Sequence, residues 1–146
     1  MVPAAPAPVP AHRLRCRTLT PMTDFEAAKA EAQRRGVGGY ERHILLCIGP
    51  DCCTPEQGED SWKYLKKRAA EINRSGDTAT TFYRTKVGCL RICKEGPVGL
   101  VYPDGTWYAG LDRAGLERVL VEHVLGGVPV EDLAIGSNPF PAAPEA

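Results

Sequence analysis

Apolar positions along this chain change period several times between Asp24 and Gly127, and each change marks an element. "DFEAAKAEAQRR" (Asp24 to Arg35) begins on a capping residue, is rich in helix formers, ends in arginines that suit a helix C-terminus, and stops at Gly36. Its apolar face is mostly alanine, so this helix is expected to dock weakly. "ERHILLCIG" (Glu41 to Gly49) carries the short apolar run Ile44 to Ile48 of a buried strand, with Cys47 at the strand's exit. In "DSWKYLKKRAAEINRSG" (Asp60 to Gly76), Trp62, Leu65, Ala69 and Ile72 recur at helical spacing, with Lys63, Lys66 and Lys67 pointing outward. "TATTFYRTKV" (Thr78 to Val87) is β-branched and aromatic and reads as a strand. "PVGLVY" and "TWYAG" flank Pro103-Asp104-Gly105, a hairpin turn. "LDRAGLERVLVEHVLGG" (Leu111 to Gly127) then predicts a helix with Asp112 as N-cap and Leu116, Val119, Leu120 and Val124 on one face.

The order is therefore helix, then β-α-β, then β-β-α. That order predicts an α/β, thioredoxin-like fold, a four-stranded mixed sheet with flanking helices on both faces. Residues 1–21, "MVPAAPAPVPAHRLRCRTLTP", hold three arginines, no acid and too many prolines for a helix, so they are expected to be a disordered leader, with Met22 as an alternative start. Residues 22–40 are expected to form an N-terminal helix and linker, 41–136 the folded domain, and 137–146, "SNPFPAAPEA", a flexible tail.

Composition narrows the function. Lys and Arg balance Asp and Glu at eighteen each, so no overall charge draws the chain to nucleic acid, and no apolar run approaches a membrane span. Without a signal-peptide core, a cytoplasmic location is expected, and the six cysteines read as metal ligands or free thiols rather than disulfides. Cys16 lies in the leader, where ordering the backbone costs about 1 to 2 kcal/mol per residue, so it is a poor ligand.

Cys47 leaves the first strand, Cys52 and Cys53 occupy the loop before the Trp62 helix, and Cys89 and Cys93 lie between the second strand and the hairpin. Two such loops can meet at one end of a sheet. Four thiolates from them suit an iron-sulfur cluster or a structural zinc, and spacing alone leaves both open. Dithiol redox chemistry ranks lower, because the close pairs are adjacent or have three intervening residues rather than two.

From His43 to about Ile135 the chain resembles the thioredoxin-like 2Fe-2S ferredoxins and, more distantly, the small thioredoxin-like iron-sulfur subunit of respiratory complex I. The matching stretches are "HILLC", the "CC" followed by "SWKYLKKR", "GCLRICKEGPVGLVYPDGTWY" and "EHVLGGVPVEDL". The resemblance implies that Cys47, one cysteine of the Cys52/Cys53 pair, Cys89 and Cys93 hold one 2Fe-2S cluster. It implies an electron carrier between redox partner proteins, not an enzyme, and often a homodimer. Cys53 precedes Trp62 by nine residues, close to the family's interval between its second ligand and the first buried helical position, so Cys53 is preferred. Cys52 is then a packing thiol or a reserve ligand. The reading from a different class is a structural metal-binding module, zinc or cluster, that recruits a partner protein.

Lys86, Arg91 and Lys94 flank the second cysteine loop, and from Lys63 to Lys94 basic residues outnumber acidic ones nine to two. They suit a raised potential or a docking face, though the helix lysines equally suit a solvated surface. Of Trp107 and Tyr108, one is expected to face the core. His123 is expected to pack or complement its helix terminus. No phosphate-loop, dinucleotide or hydrolase motif is present.

Overall fold

The computed structural model of the protein describes residues 21–75 and 82–141. The expected leader, apart from Pro21, and its Cys16 lie outside the described residues. α1 (Asp24–Arg34) is capped by Thr23, whose Oγ1 accepts the Glu26 N–H at 3.2 Å, so the cap is Thr23 rather than Asp24. None of its residues is buried, consistent with its alanine face. β1 (Arg42–Cys47) follows, with Ile44, Leu46 and Cys47 buried.

α2 (Pro55–Ser75) starts five residues before the expected Asp60. Its start is a capping box: Thr54 Oγ1 accepts the Gln57 N–H at 3.2 Å, and Gln57 Oε1 accepts the Thr54 N–H at 3.0 Å. Pro55 takes the first helical position, where a missing N–H costs nothing. Leu65, Ala69 and Ile72 are buried and Trp62 is half-buried. β2 (Phe82–Val87) covers the later part of the expected strand; Thr78 to Thr81 lie outside the described residues.

The hairpin forms from β3 (Val98–Tyr102) and β4 (Thr106–Tyr108). α3 (Arg113–Arg118) is capped by Asp112, whose Oδ1 accepts the Gly115 N–H at 2.9 Å. It runs directly into a π-helical stretch, Val119–Leu125, where a plain α-helix was expected. The wide turns coincide with His123, which is fully buried. Tyr108 Oη accepts the Val130 N–H at 3.1 Å and meets His123 Nδ1 at 2.7 Å. The hydroxyl proton therefore goes to Nδ1, which leaves Nε2–H facing Asp104 Oδ2 at 3.4 Å.

A short 3-10 turn (Glu131–Leu133) leads to β5 (Ala134–Ser137), which pairs with β4. The sheet thus has five strands, in the order β2-β1-β3-β4-β5, instead of the expected four. Part of the expected flexible tail is built into it: Ser137 pairs with Thr106, the Asn138 N–H reaches Gly105 O at 2.8 Å, and Phe140 stacks on Tyr102 at 5.0 Å. β1 pairs parallel with β2 and antiparallel with β3. The main core joins Ile44, Leu46, Phe82 and Val101 of the sheet to Leu65 of α2 and Leu116 of α3. Both helices therefore share one face, where helices on both faces were expected.

Candidate metal centre

Strand register brings the cysteine loops together. Cys47 ends β1 and pairs with Val87 on one side and Val98 on the other. The chain from Gly88 to Pro97, which carries Cys89 and Cys93, must therefore cross the end of β1. At its far end the loop is tied down: Glu95 O accepts the Gly110 N–H and Pro97 O the Leu111 N–H, the latter at 2.9 Å. At its near end it touches the first cysteine loop, because a Cβ on Gly49 would lie 2.0 Å from Gly88 O.

The first loop turns tightly after β1, with the Cys52 N–H on Gly49 O at 3.0 Å. Cys47, Cys52 and Cys53 are buried, and Cys89 and Cys93 are exposed. The Cys52 thiol lies within electrostatic reach of Cys47 and of the Val98 backbone N–H. Gly96 passes so close that a Cβ there would lie 2.4 Å from Cys52 Sγ. Cys47, Cys52 and Val98 share a small apolar shell with Val87, Leu90 and Trp107. Cys53 lies against α2, where a Cβ at Gly58 would meet its Sγ at 3.1 Å, and within electrostatic reach of Cys47. Of the pair, Cys52 is the member turned towards the second loop, against Gly96.

In that second loop the Cys93 thiol lies within electrostatic reach of Cys89, Cys47 and Asp51. Arg91, Cys93 and Glu95 have φ of 66°, 52° and 49°, three side-chain-bearing residues in the left-handed region at alternate positions. Such alternation turns successive backbone N–H groups to one side, an anion-binding nest of the kind found at iron-sulfur sites. The Arg91 N–H points at Cys89 Sγ, 3.2 Å away.

Among the described residues, no three His, Cys, Asp or Glu side chains converge on one point as a cage for a single ion. Electrostatic interactions join Cys47 with Cys52 and Cys53 in the first loop, Cys89 with Cys93 in the second, and Cys93 with Cys47 across the two. Soft thiolates from two adjoining loops are the donor set of a 2Fe-2S cluster, so the residues present fit one. Burial pushes the Cys52 thiol up to about 11, and burial followed by the Cys47 charge raises Cys53. Metal binding must therefore displace protons here. The α2 N-terminus, immediately after Cys53, presents its positive end to the resulting thiolates.

No family model matches the chain. A 2Fe-2S ferredoxin of Aquifex aeolicus (strain VF5) is 40% identical over 104 residues, which cover 68% of this chain and 94% of that protein. The chain belongs to the thioredoxin-like 2Fe-2S ferredoxins. A 2Fe-2S ferredoxin of Clostridium pasteurianum is 27% identical over 99 residues, 65% of this chain and 96% of that one. The solved thioredoxin-like 2Fe-2S ferredoxin from Aquifex aeolicus superposes with a TM-score of 0.59 at 25% identity, covering 71% of this chain and 98% of that one.

Other residues of this ferredoxin fall into place around the thiols. Trp107 is half-buried against the Cys47 and Cys52 shell, while Tyr108 is the one that faces the core. Lys86, Arg91 and Lys94 are exposed beside the site, but so are Asp51 and Glu95, which offset much of their charge. Lys63 pairs with Glu59 at 3.8 Å and Lys66 lies over Trp62 at 5.9 Å, as on an ordinary solvated helix. His123 sits among Tyr108, Asp104 and Val130 beside the hairpin turn, at the end of the sheet away from Cys47. The Thr54 and Gln57 box went unread although "TPEQ" carries its signature; nothing in the sequence signals the role of Gly96.

Proposed function

We propose that this ferredoxin holds one 2Fe-2S cluster on Cys47, Cys52, Cys89 and Cys93 and relays single electrons between redox partner proteins, without transforming a substrate of its own. The observation that carries the reading is the meeting of the two cysteine loops at the end of β1, where Gly96 closes on Cys52 and Gly88 on Gly49. A bound 2Fe-2S cluster supplies one-electron exchange. The chain does the rest. Cys47 and Cys52, buried under Val98, Leu90 and Trp107, exclude water from the inner side, while Cys89 and Cys93 lie open to solvent. Donor and acceptor accordingly approach from the side of Cys89 and Cys93. Arg91 and the backbone donors of its loop offset the negative charge of four thiolates.

Working as a homodimer in the cytoplasm is part of this reading. Free thiols in all five described cysteines suit a reducing compartment, and the exposed Val121, Val128, Ile135 and Phe140 suit self-association.

Aerobically purified protein should absorb in the visible and contain iron and acid-labile sulfide in equal amounts. Colourless protein carrying zinc would instead support a structural metal module. For the second ligand, Cys52→Ser should lose the visible spectrum and Cys53→Ser should keep it; the reverse result restores Cys53.

A further inference from the structure

A cavity of about 290 Å³ lies at the β2 edge of the sheet, lined by Arg34 and Arg35 at the end of α1, Tyr40, Trp62 and Asn73 of α2, and Phe82 to Arg84. Arg84 stands in register with Ile44 and two residues from Phe82, both buried in the core under α2, so strand alternation sends its side chain to that same helix-covered face. There its Nε is sealed from solvent with no hydrogen-bond partner, and among the described residues Arg84 forms no ion pair. Arg34 and Arg35 reach the cavity from the other side, and both share a single carboxylate, Glu31, at 2.6 and 2.7 Å. Among the described residues, three guanidiniums stand against one carboxylate at the cavity.

We propose that this cavity is a phosphate site. One carboxylate is satisfied by one arginine fork, whereas donors from three arginines suit a tetrahedral dianion with four acceptor oxygens. The volume also admits a phosphate carried on a small flat body beside Tyr83 and Trp62, so inorganic phosphate and a nucleoside monophosphate share the chemistry. The site is separate from the thiols: Tyr83 and Arg84 open β2, whereas Val87, at the far end of the strand, flanks Cys47.

Calorimetric titration of the cluster-loaded full chain with inorganic phosphate, adenosine monophosphate, adenosine and acetate tests this. Phosphate and the monophosphate should bind at millimolar or lower concentration, and adenosine and acetate should bind far more weakly. Tighter binding of the monophosphate assigns a nucleotide as the source, and equal binding assigns free phosphate. Arg84→Gln should weaken phosphate at least about tenfold. Because Arg84 is half-buried, Arg35→Gln at the exposed rim provides a second variant, which should weaken it by a smaller factor. Glu31→Gln, which frees both rim arginines, should tighten it. Arg118→Gln, paired elsewhere with Glu122 and Asp132, should change nothing. The proposal is overturned if neither phosphate nor the monophosphate binds, if acetate or adenosine binds as well as they do, or if Arg84→Gln and Arg35→Gln both leave affinity unchanged.

Discussion

Gly96→Ala tests the geometry that joins the two cysteine loops. Gly96 lies against the backbone of Cys52, and an added Cβ would stand 2.2 Å from Cys52 O, 2.4 Å from Cys52 Sγ and 2.7 Å from Cys52 C. All three lie far inside the 3.4 Å at which ordinary contact begins, and two of the atoms belong to backbone that cannot rotate away. The strap between Cys93 and Val98 must therefore move outward by on the order of 1 Å, carrying the second loop away from the first. Overpacking of this kind costs about 1 to 3 kcal/mol, roughly 3 to 10 °C in Tm for a chain of this size. Because the strap also positions the Cys89 and Cys93 pair, cluster content should fall beyond what the loss of stability explains. Gly88→Ala is the control: it lies in the same loop, yet its Cβ would meet nothing within 4 Å. Paired measurements of Tm and visible absorbance per protein should separate the two variants. Wild-type Tm and absorbance in Gly96→Ala, or equal damage from Gly88→Ala, would refute the reasoning.

Arg91→Gln removes a positive charge whose backbone N–H lies 3.2 Å from Cys89 Sγ, and since reduction adds negative charge there, the potential should fall by about tens of millivolts, and much less in Arg91→Lys, by spectroelectrochemistry. His123 is held below its ordinary value of 6.5, first by burial, with Asp104 opposing and Arg42 assisting. The unfolded chain therefore takes up the proton first, so stability is full above about pH 6.5 and declines as pH falls through the lowered folded-state value. Urea unfolding across that window should show the slope in the wild type and a shallower one in His123→Phe, where His43, also lowered by burial, keeps its own share. Thr54→Ala breaks one side of the box that starts α2 and should cost about 1 kcal/mol in the same assay, with visible absorbance retained.

What could be read from the chain alone follows from how local each cause is. The Ile44 to Cys47 strand, the turn at Asp104 and the Asp112 cap depend on neighbouring residues and were legible. The start of α2 is equally local: "TPEQ" carries the capping box, but the apolar spacing that marks the helix begins only at Trp62. β5 was hidden because Ala134–Ser137 holds one β-branched residue and owes its pairing to β4. The π-helical turns accompany a contact between His123 and Tyr108, fifteen residues apart, which periodicity cannot register. At the site, the four cysteine positions were legible as two loops. The orientation of Cys52 against Cys53 was not, because it depends on the close approach of Gly96 to one and Gly58 to the other.

The most direct measurement of the central claim is a reductive titration of the purified protein followed by electron paramagnetic resonance, with Cys53→Ser and Cys52→Ser alongside. The account predicts that the wild type and Cys53→Ser each take up one electron per cluster, reversibly, and develop one paramagnetic signal as the visible absorbance bleaches, while Cys52→Ser shows neither. Wild-type protein that takes up no electron, or a full signal in Cys52→Ser with none in Cys53→Ser, would contradict it.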